Sequence, residues 1–487
     1  MLKLYNSLSR KIEEFKPISP PKVTLYTCGP TVYDYITIGN MRTYVLSDVL
    51  RRVLKFNGYE VNSVMNITDV GHLTGDNLGD SSQGEDRLEK GAKRERKSAW
   101  EIARFYEKAF RDDISKLNIS ADIFPRATDH IKEQIEIIKD LEKKGYTYRI
   151  SDGIYFETGK FADYGKLSSL DEKKEGARIE PNPEKKNIAD FALWKFSPKK
   201  GKRQMEWNSP WGLGFPGWHI ECSAMSMKYL TKTFKNGYQS EGFETIDIHV
   251  GGEDLRSTHH PNEIAQSEAA AGKKFVNCWL HGAFVLVNDG RMGKSLGNAY
   301  TMKDIEAKGF DALDLRYFFL NANYRKQINF TFDGLCAARN ARQTLLNIFS
   351  QKTHNWENSG KRTVLSAEKL AKVQSFKEMF LNAVNMDLNL PQALSVLWSA
   401  VKSSVPLIDK YELVLEFDEI LGLNIRKSQS LKKEAEIPSE ILSVARKRNL
   451  LRAREKWSEA DKVRIDIERK GFLLLDTPTG TEVVRKK

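Results

Sequence analysis

The segment from Val23 to Arg42 constrains the rest of this chain more than any other. Val23–Tyr26 is short, apolar and β-prone, the pattern of a buried strand. It runs into Cys28-Gly29-Pro30, a turn where backbone can come close to a ligand. After Thr37-Ile38-Gly39-Asn40, the apolar residues Tyr44, Val45, Val49, Leu50, Val53 and Leu54 recur at helical spacing. A strand, a glycine-containing loop and a helix N-terminus in succession make a phosphate site, because unpaired N–H groups and the positive end of the helix dipole attract anions. Gly39 leaves room for a purine against the backbone. Many α/β crossovers end in such a turn, so the segment gains its force from motifs further along the chain.

Residues 1–117 read as the first half of a doubly wound α/β domain. A second strand from Tyr59 ends at Asn66-Ile67-Thr68-Asp69, and in such folds the carboxyl ends of the strands hold the ligand. Thr68 and Asp69 therefore sit where a substrate should be. A glycine-rich stretch, Gly71 to Gly84, and a basic run, Lys90 to Lys97, read as a lid or a solvated loop, and Ala99–Leu117 as a helix. Residues 118–205 look like an insertion. It has a helix at Glu133–Lys144, short strands at Gly153–Thr158 and Tyr164–Leu167, and a Lys-rich linker, Glu172 to Arg203, around the strand Phe191–Phe196. The α/β pattern resumes over 206–301, with a helix at Asn262–Ala271, a strand at Ala283–Val287 and a polar surface loop from Thr231 to Gly242. Residues 302–425 read as a helix bundle, with helices at Asp304–Asn321, Leu335–Gln351, Ala367–Asn385 and Pro391–Val401. Residues 426–487 combine a charged connector, a basic helix (Ser439–Lys456), a second helix (Ser458–Lys470) and a β tail.

Four residues suggest a metal. Cys28 follows the first strand, Cys222 closes Gly217-Trp-His-Ile-Glu-Cys, and His259 and Glu263 stand four apart. Two thiolates, an imidazole and a carboxylate suit zinc, which takes S, N and O ligands tetrahedrally. The plainer reading makes the cysteines core residues and His259-His260-Pro261 a helix start. The loop Gly290-Arg-Met-Gly-Lys-Ser-Leu-Gly-Asn offers Lys294 as a mobile charge for phosphate, or is an ordinary basic turn. Gly251-Gly-Glu-Asp places Asp254 after a strand, apt for a ribose hydroxyl.

Composition limits the partners and the compartment. Net charge is +12, which fits either a solvated basic surface or a nucleic-acid partner. Only four cysteines occur, without framework spacing, so a reduced compartment is expected. No apolar run approaches membrane-spanning length, and Met1–Lys16 lacks the apolar core of a signal peptide. A cytoplasmic protein with no membrane partner is the expectation.

Taken together, these stretches resemble a class I aminoacyl-tRNA synthetase, and most closely the cysteinyl-tRNA synthetases. Thr37-Ile-Gly-Asn stands at that family's HIGH position, and Arg291-Met-Gly-Lys-Ser at its KMSKS position. Tyr26-Thr-Cys-Gly-Pro-Thr-Val-Tyr-Asp, Asn66-Ile-Thr-Asp, Pro125-Arg-Ala-Thr, Gly217-Trp-His-Ile-Glu-Cys-Ser-Ala-Met and His259-His-Pro-Asn-Glu-Ile-Ala-Gln-Ser look like its other landmarks, in its order. The resemblance implies a Rossmann-like doubly wound parallel sheet with an inserted connective domain, a C-terminal helix bundle and a small anticodon-binding module. It implies ligation of L-cysteine to tRNA(Cys) through a cysteinyl-adenylate, with ATP as substrate, Mg2+ in attendance and a monomeric enzyme. One zinc per chain would rest on Cys28, Cys222, His259 and Glu263. Cysteine would be met by Cys28, Gly29, Thr68 and Trp218. ATP would meet Thr37, Gly39, Asn40, Gly251, Asp254, Arg291, Met292, Lys294 and Ser295, with Thr37, Asn40 and Lys294 stabilising the reacting phosphates. Arg452, Trp457, Asp461 and Asp476 stand where the anticodon is read.

Departures from the family pattern are specific. Both histidines of HIGH are replaced, by Thr37 and Asn40, which can donate hydrogen bonds but carry no charge. Arg291 and Gly293 replace the first Lys and first Ser of KMSKS, so more of the phosphate stabilisation is expected to fall on Lys294. Pro261 stands where Glu is common, and the loop before Glu244 is long for the family. Two rivals share parts of this pattern: a small-molecule cysteine ligase, which needs no RNA module, and a non-catalytic RNA-binding protein descended from a synthetase.

Overall fold

The strand expected from Val23, the first of the parallel sheet in chain order, forms over Lys22–Thr27 and is the hub of four strands. Glu60–Met65 pairs with it on one side, while Ile246–Gly252 pairs on the other and is flanked in turn by Val276–Gly282. The strand order thus reverses beside the first strand. In doubly wound sheets that reversal opens the ligand crevice at the carboxyl ends, where Cys28, Thr68 and Gly251 follow or end their strands. This computed structural model describes residues 1–70, 86–167, 182–198, 203–293, 296–350, 364–426, 438–454, 456–477 and 480–485.

The helix after the first strand spans Ile38–Phe56 and buries Tyr44, Val45, Val49, Leu50, Val53 and Leu54, the face its periodicity required. It starts at Ile38, inside the Thr37-Ile38-Gly39-Asn40 stretch. Thr37 and Asn40 form a capping box that closes the first turn early.

The insertion contributes an antiparallel sheet of Thr147–Ile150, Gly153–Phe156, Phe191–Phe196 and Gly214–Pro216. Its last strand leads straight into the helix Trp218–Leu230, which carries Cys222. Beyond the sheets lie the helices Phe332–Ser350, Ala367–Asn385, Leu390–Lys402 and Leu407–Leu421. By contact pattern the chain forms two compact units, Met1–Leu423 and Asn424–Lys487. The second has its own core of Ile441, Ala445, Ile467, Phe472 and Leu474, made by two helices and a hairpin. Among the described residues no helix is long and apolar enough to cross a membrane.

Three expectations are corrected. The basic run Lys90–Lys97 is neither lid nor loop over most of its length, because Arg87–Glu95 is a helix. Asp86 caps it by accepting the Glu89 N–H at 2.9 Å, and Leu88, Gly91 and Ala92 turn inward. The expected lid residues Gly71–Gly84 lie outside the described residues. Tyr164–Leu167 is a set of tight turns rather than a strand, with Tyr164 N–H bonded to Phe161 O and Lys166 N–H to Asp163 O. The expected helix Asp304–Asn321 is two, Met302–Ala307 and Ala312–Leu320. Gly309 breaks it at φ +80°, and Asp311 caps the second piece. The polar stretch Thr231–Gly242 is the surface loop expected, held by internal contacts. Thr233 is buried and accepts the Gln239 N–H, and Tyr238 donates to Asp140 at 2.8 Å.

Candidate active site and metal centre

Four donors close on one another at the carboxyl end of the first strand. The Sγ atoms of Cys28 and Cys222, a His259 nitrogen and a Glu263 oxygen all lie within 4.8 Å of each other, and all four residues are buried. They arrive by three routes. Cys28 continues the first strand, its N–H bonded to Val250 O of the neighbouring strand at 3.0 Å. Cys222 lies one turn into Trp218–Leu230, and His259 and Glu263 lie on one face of His259–Ala271. Glu263 Oε1 stands 3.0 Å from His259 Nε2 and 3.7 Å from Cys28 Sγ. A tetrahedral zinc with ligands at 2.0–2.3 Å sets its donors about 3.3–3.8 Å apart, so this S2NO set fits such an ion with little movement.

The electrostatics favour a cation there. A hydrogen bond from Cys28 lowers the Cys222 thiol to about 7, against the upward push of burial. Burial alone would raise Glu263, yet the His249 and His259 charges hold it at about 2. Burial likewise opposes charge on His259, but Glu263 and Cys222 lift it to about 10. Cys28 goes the other way, pushed well above the usual thiol range by burial and the neighbouring Cys222. A divalent ion bound there would meet the Glu263 carboxylate and favour ionised thiols at Cys28 and Cys222.

A second layer holds these donors. His219 and His259 share an Nδ1–Nδ1 hydrogen bond of 2.8 Å, and His249 Nε2 bonds Glu263 Oε2 at 3.1 Å. His260 reaches Cys28 Sγ at 3.5 Å and passes to His281 at 2.8 Å, which bonds Ser7 Oγ. Five of the chain's eight histidines therefore meet around one cluster. The sequence points to His259 alone among them, although the others stand inside the landmark motifs or on the strands that flank the crevice. His249 and His260 form an overlapping donor set with Cys28 and Glu263, but it lacks the second thiol that favours zinc.

Trp218 lies over His259 with ring centroids 4.3 Å apart, so it walls the cluster. Thr68 is buried beside it, accepting from Asn66 Nδ2 at 3.2 Å, while Asn66 Oδ1 takes the Gly29 N–H at 2.8 Å. Asp69 is a brace instead, since Thr128 occupies both of its oxygens through its N–H and hydroxyl. A Cβ at Gly29 would lie 1.8 Å from Asn66 O, a clash only backbone movement relieves. Gly29→Ala should therefore cost about 2–3 kcal/mol of stability, as overpacking does. Urea or thermal unfolding measures it directly.

The second candidate region is a cleft of about 190 Å³ lined by Asp34, Tyr35, Thr37, Gly297, Ala299 and Thr301. It joins the two landmark loops. Ile38 N–H bonds Tyr300 O at 2.9 Å, Thr37 bridges Thr301, and a Cβ at Gly39 would come within 2.6 Å of the Met292 Cε. The Thr37 N–H and hydroxyl both donate to Asn40 Oδ1 at 3.0 Å, so the two residues replacing histidine are engaged with each other as a helix cap. Gly251 backs against His260, where a Cβ would lie 2.5 Å from the ring, and Asp254 is exposed on the following turn. Arg291 is exposed on a two-residue strand paired with Leu286–Val287. Lys294 and Ser295 lie outside the described residues.

Arg42 carries no signal in the sequence beyond its charge, yet it is central here. Its largely buried guanidinium donates to four backbone carbonyls, those of Ala283, Phe284, Asn323 and Lys326, at 2.7, 2.9, 3.1 and 2.5 Å. It thereby ties the helix Ile38–Phe56 to the residues just before the strand Val285–Val287 and to the segment from Asn323 to Lys326. In the second unit the Arg452 guanidinium stands 5.5 Å from the Trp457 ring centre, and Trp457 is 55% exposed. Asp461 is exposed one turn further along the same helix, and Asp476 faces Thr481 in the hairpin register.

Comparison with known proteins matches residues 14–340 to the model of the tRNA synthetases class I (C) catalytic domain. A protein named cysteine–tRNA ligase 1 from Burkholderia lata is 44% identical over 483 residues, spanning 98% of this chain and 96% of its own length. A cysteine–tRNA ligase from Treponema denticola is 41% identical over 500 residues, covering 98% of each. Among solved structures, Mycobacterium tuberculosis methionyl-tRNA synthetase in complex with methionyl-adenylate superposes with a TM-score of 0.61 at 14% identity. It covers 86% of this chain and 95% of its own, which is a likeness of fold alone.

Proposed function

We propose, since this chain belongs to the class I cysteine–tRNA ligases, that its crevice activates L-cysteine with ATP and passes the cysteinyl group to tRNA(Cys). In the first step a cysteine carboxylate oxygen attacks the α-phosphorus and the bond to pyrophosphate breaks. In the second, a hydroxyl of the terminal adenosine attacks the acyl carbonyl and AMP leaves. Little covalent chemistry falls to the protein, so catalysis is positioning and charge stabilisation. The helix start at Thr37–Gly39 offers backbone N–H groups and the positive dipole end to the phosphates. Gly251 and Asp254 would meet the nucleoside, and Arg291, Met292, Lys294 and Ser295 the triphosphate. The engaged Thr37–Asn40 pair supports the view that Lys294 carries charge that histidines would otherwise share.

The observation that carries the substrate assignment is the buried Cys28–Cys222–His259–Glu263 set. We infer that it holds one zinc, whose chemistry when bound is to take up the cysteine thiolate. Serine differs by one atom, and an ordinary pocket separates such near-isosteres only about a hundredfold. A thiophilic ion rejects the hydroxyl far more strongly. Trp218 and Thr68 then shape the space around the side chain, beside the Gly29 backbone.

Cysteine-dependent ATP–pyrophosphate exchange, run beside tRNA charging, tests this reading. A small-molecule ligase would exchange without charging, and a non-catalytic descendant would do neither. Lys294→Ala should cut exchange turnover by about 10²–10³-fold, as loss of a transition-state stabiliser does, with the cysteine dissociation constant unchanged. A defect confined to cysteine binding would contradict the phosphate role.

A further inference from the structure

The helices Arg87–Glu95 and Ala99–Lys116 pack together and share a solvent face that the chemistry above leaves unused. Lys93, Arg94, Arg96, Lys97, Arg104 and Lys108 are exposed on it. The acidic residues among them are engaged: Glu95 pairs with Arg94 and Lys97 at 3.0 and 3.3 Å, and Glu101 closes the Ser98 cap. Two aromatic rings stand out of this basic surface, Trp100 at 36% and Phe105 at 43% exposed. The inner face of the same helix is complete without them, since Ile102, Ala103, Tyr106 and Phe110 are buried. Lys97 Nζ lies 4.5 Å from the Phe105 ring centre, so a cation and a partly open ring stand side by side on this surface.

The position of this ridge is the second observation. Phe105 lies edge-on to Tyr35 at 6.2 Å, and Tyr35 lines the cleft beside Thr37 and Thr301. At its other end Trp100 meets Trp207 at 6.2 Å and donates to Gln204 O at 3.3 Å. The ridge thus runs from the residues that close the insertion to the mouth of the nucleotide cleft. Trp100 and Phe105 are about 7.5 Å apart along the helix axis.

We propose that this ridge holds the single-stranded 3′ end of the tRNA, its basic residues on the phosphates and Phe105 and Trp100 under unstacked bases. The proposal rests on the aminoacylation reading, which requires an RNA 3′ terminus at that cleft. Bases inside a duplex are stacked on one another and cannot reach such rings, whereas single strands combine charged tracks with aromatic platforms.

The test uses the full-length protein and three measurements: cysteine-dependent pyrophosphate exchange, steady-state tRNA charging, and tRNA affinity against salt. Phe105→Ala should lower charging kcat/KM about five- to hundredfold, the size of a lost base stack, with exchange within twofold of the parent. Phe105→Trp should restore charging, which a packing role would not permit. Arg104→Glu with Lys108→Glu should flatten the salt dependence of tRNA affinity. Charging that survives Phe105→Ala overturns the proposal, and so does exchange that falls in parallel with charging. If the unaltered protein shows no exchange, the aminoacylation reading fails instead, so the two failures are distinct.

Discussion

Cys222→Ser is expected to release the metal and to abolish cysteine-dependent exchange together. The substitution changes one atom, so the helix Trp218–Leu230 and its packing should persist. What it removes is the donor whose hydrogen bond from Cys28 brings it to about 7, near ionisation at neutral pH. An alcohol in its place stays neutral and binds zinc poorly. Loss of a residue that merely orients a ligand costs about 10–100-fold in metal affinity or activity, and loss of a thiolate ligand should exceed that. Cys278→Ser is the internal control. Cys278 is also buried, but burial pushes its thiol up to about 12 and no metal-binding set among the described residues includes it. It should keep metal and activity. Metal content by mass spectrometry and exchange rates on both variants decide the point; a Cys222→Ser protein with full metal and full exchange would sink the ligand assignment.

Deleting Pro438–Lys487 should separate the two half-reactions. Exchange should stay within about twofold of the parent, because all four donors and the cleft between Thr37 and Thr301 lie in Met1–Leu423. Charging should fall by more than about a hundredfold, since the deleted part carries the basic helix Ser439–Ala453 and the exposed Trp457. Phosphate contacts from such a helix give affinity without sequence information, and their loss also flattens the salt dependence. Trp457→Ala alone should weaken tRNA binding by about 1–3 kcal/mol if the ring stacks on a base. The Arg452 guanidinium stands beside the ring, 5.5 Å from its centre. Undiminished charging by the truncated protein would make this helix a solvated face and nothing more.

Much of the fold is legible in the residues, and the parts that are not share physical causes. Apolar spacing places Ile38–Phe56 and the first strand, because a buried face leaves a period in the sequence. The helix Arg87–Glu95 is hidden, since its outer face is a run of charges and Gly91 interrupts it where the chain packs against Ile102. The break at Gly309 is masked because apolar residues continue on both sides of it. The hairpin of Lys3–Asn6 with Lys11–Glu14 leaves little trace, being short and largely exposed on its second strand. At the candidate site, motif order brings Cys28, Cys222, His259 and Glu263 together, while His249 and His281 sit on strands where a lone imidazole has no local signature. Arg42 and the Thr37–Asn40 pair are partnerships of position, visible only once the helix start and its neighbours are folded.

The proposed metal, held by two cysteine sulfurs, one imidazole and one carboxylate, would select the substrate by its sulfur. X-ray absorption at the zinc edge of the purified protein counts the sulfurs at that ion directly. The expected result is two sulfurs in the free protein, three when cysteine is added, and two when serine is added. A sulfur count that cysteine leaves unchanged, in a protein that still exchanges pyrophosphate with cysteine, would contradict it.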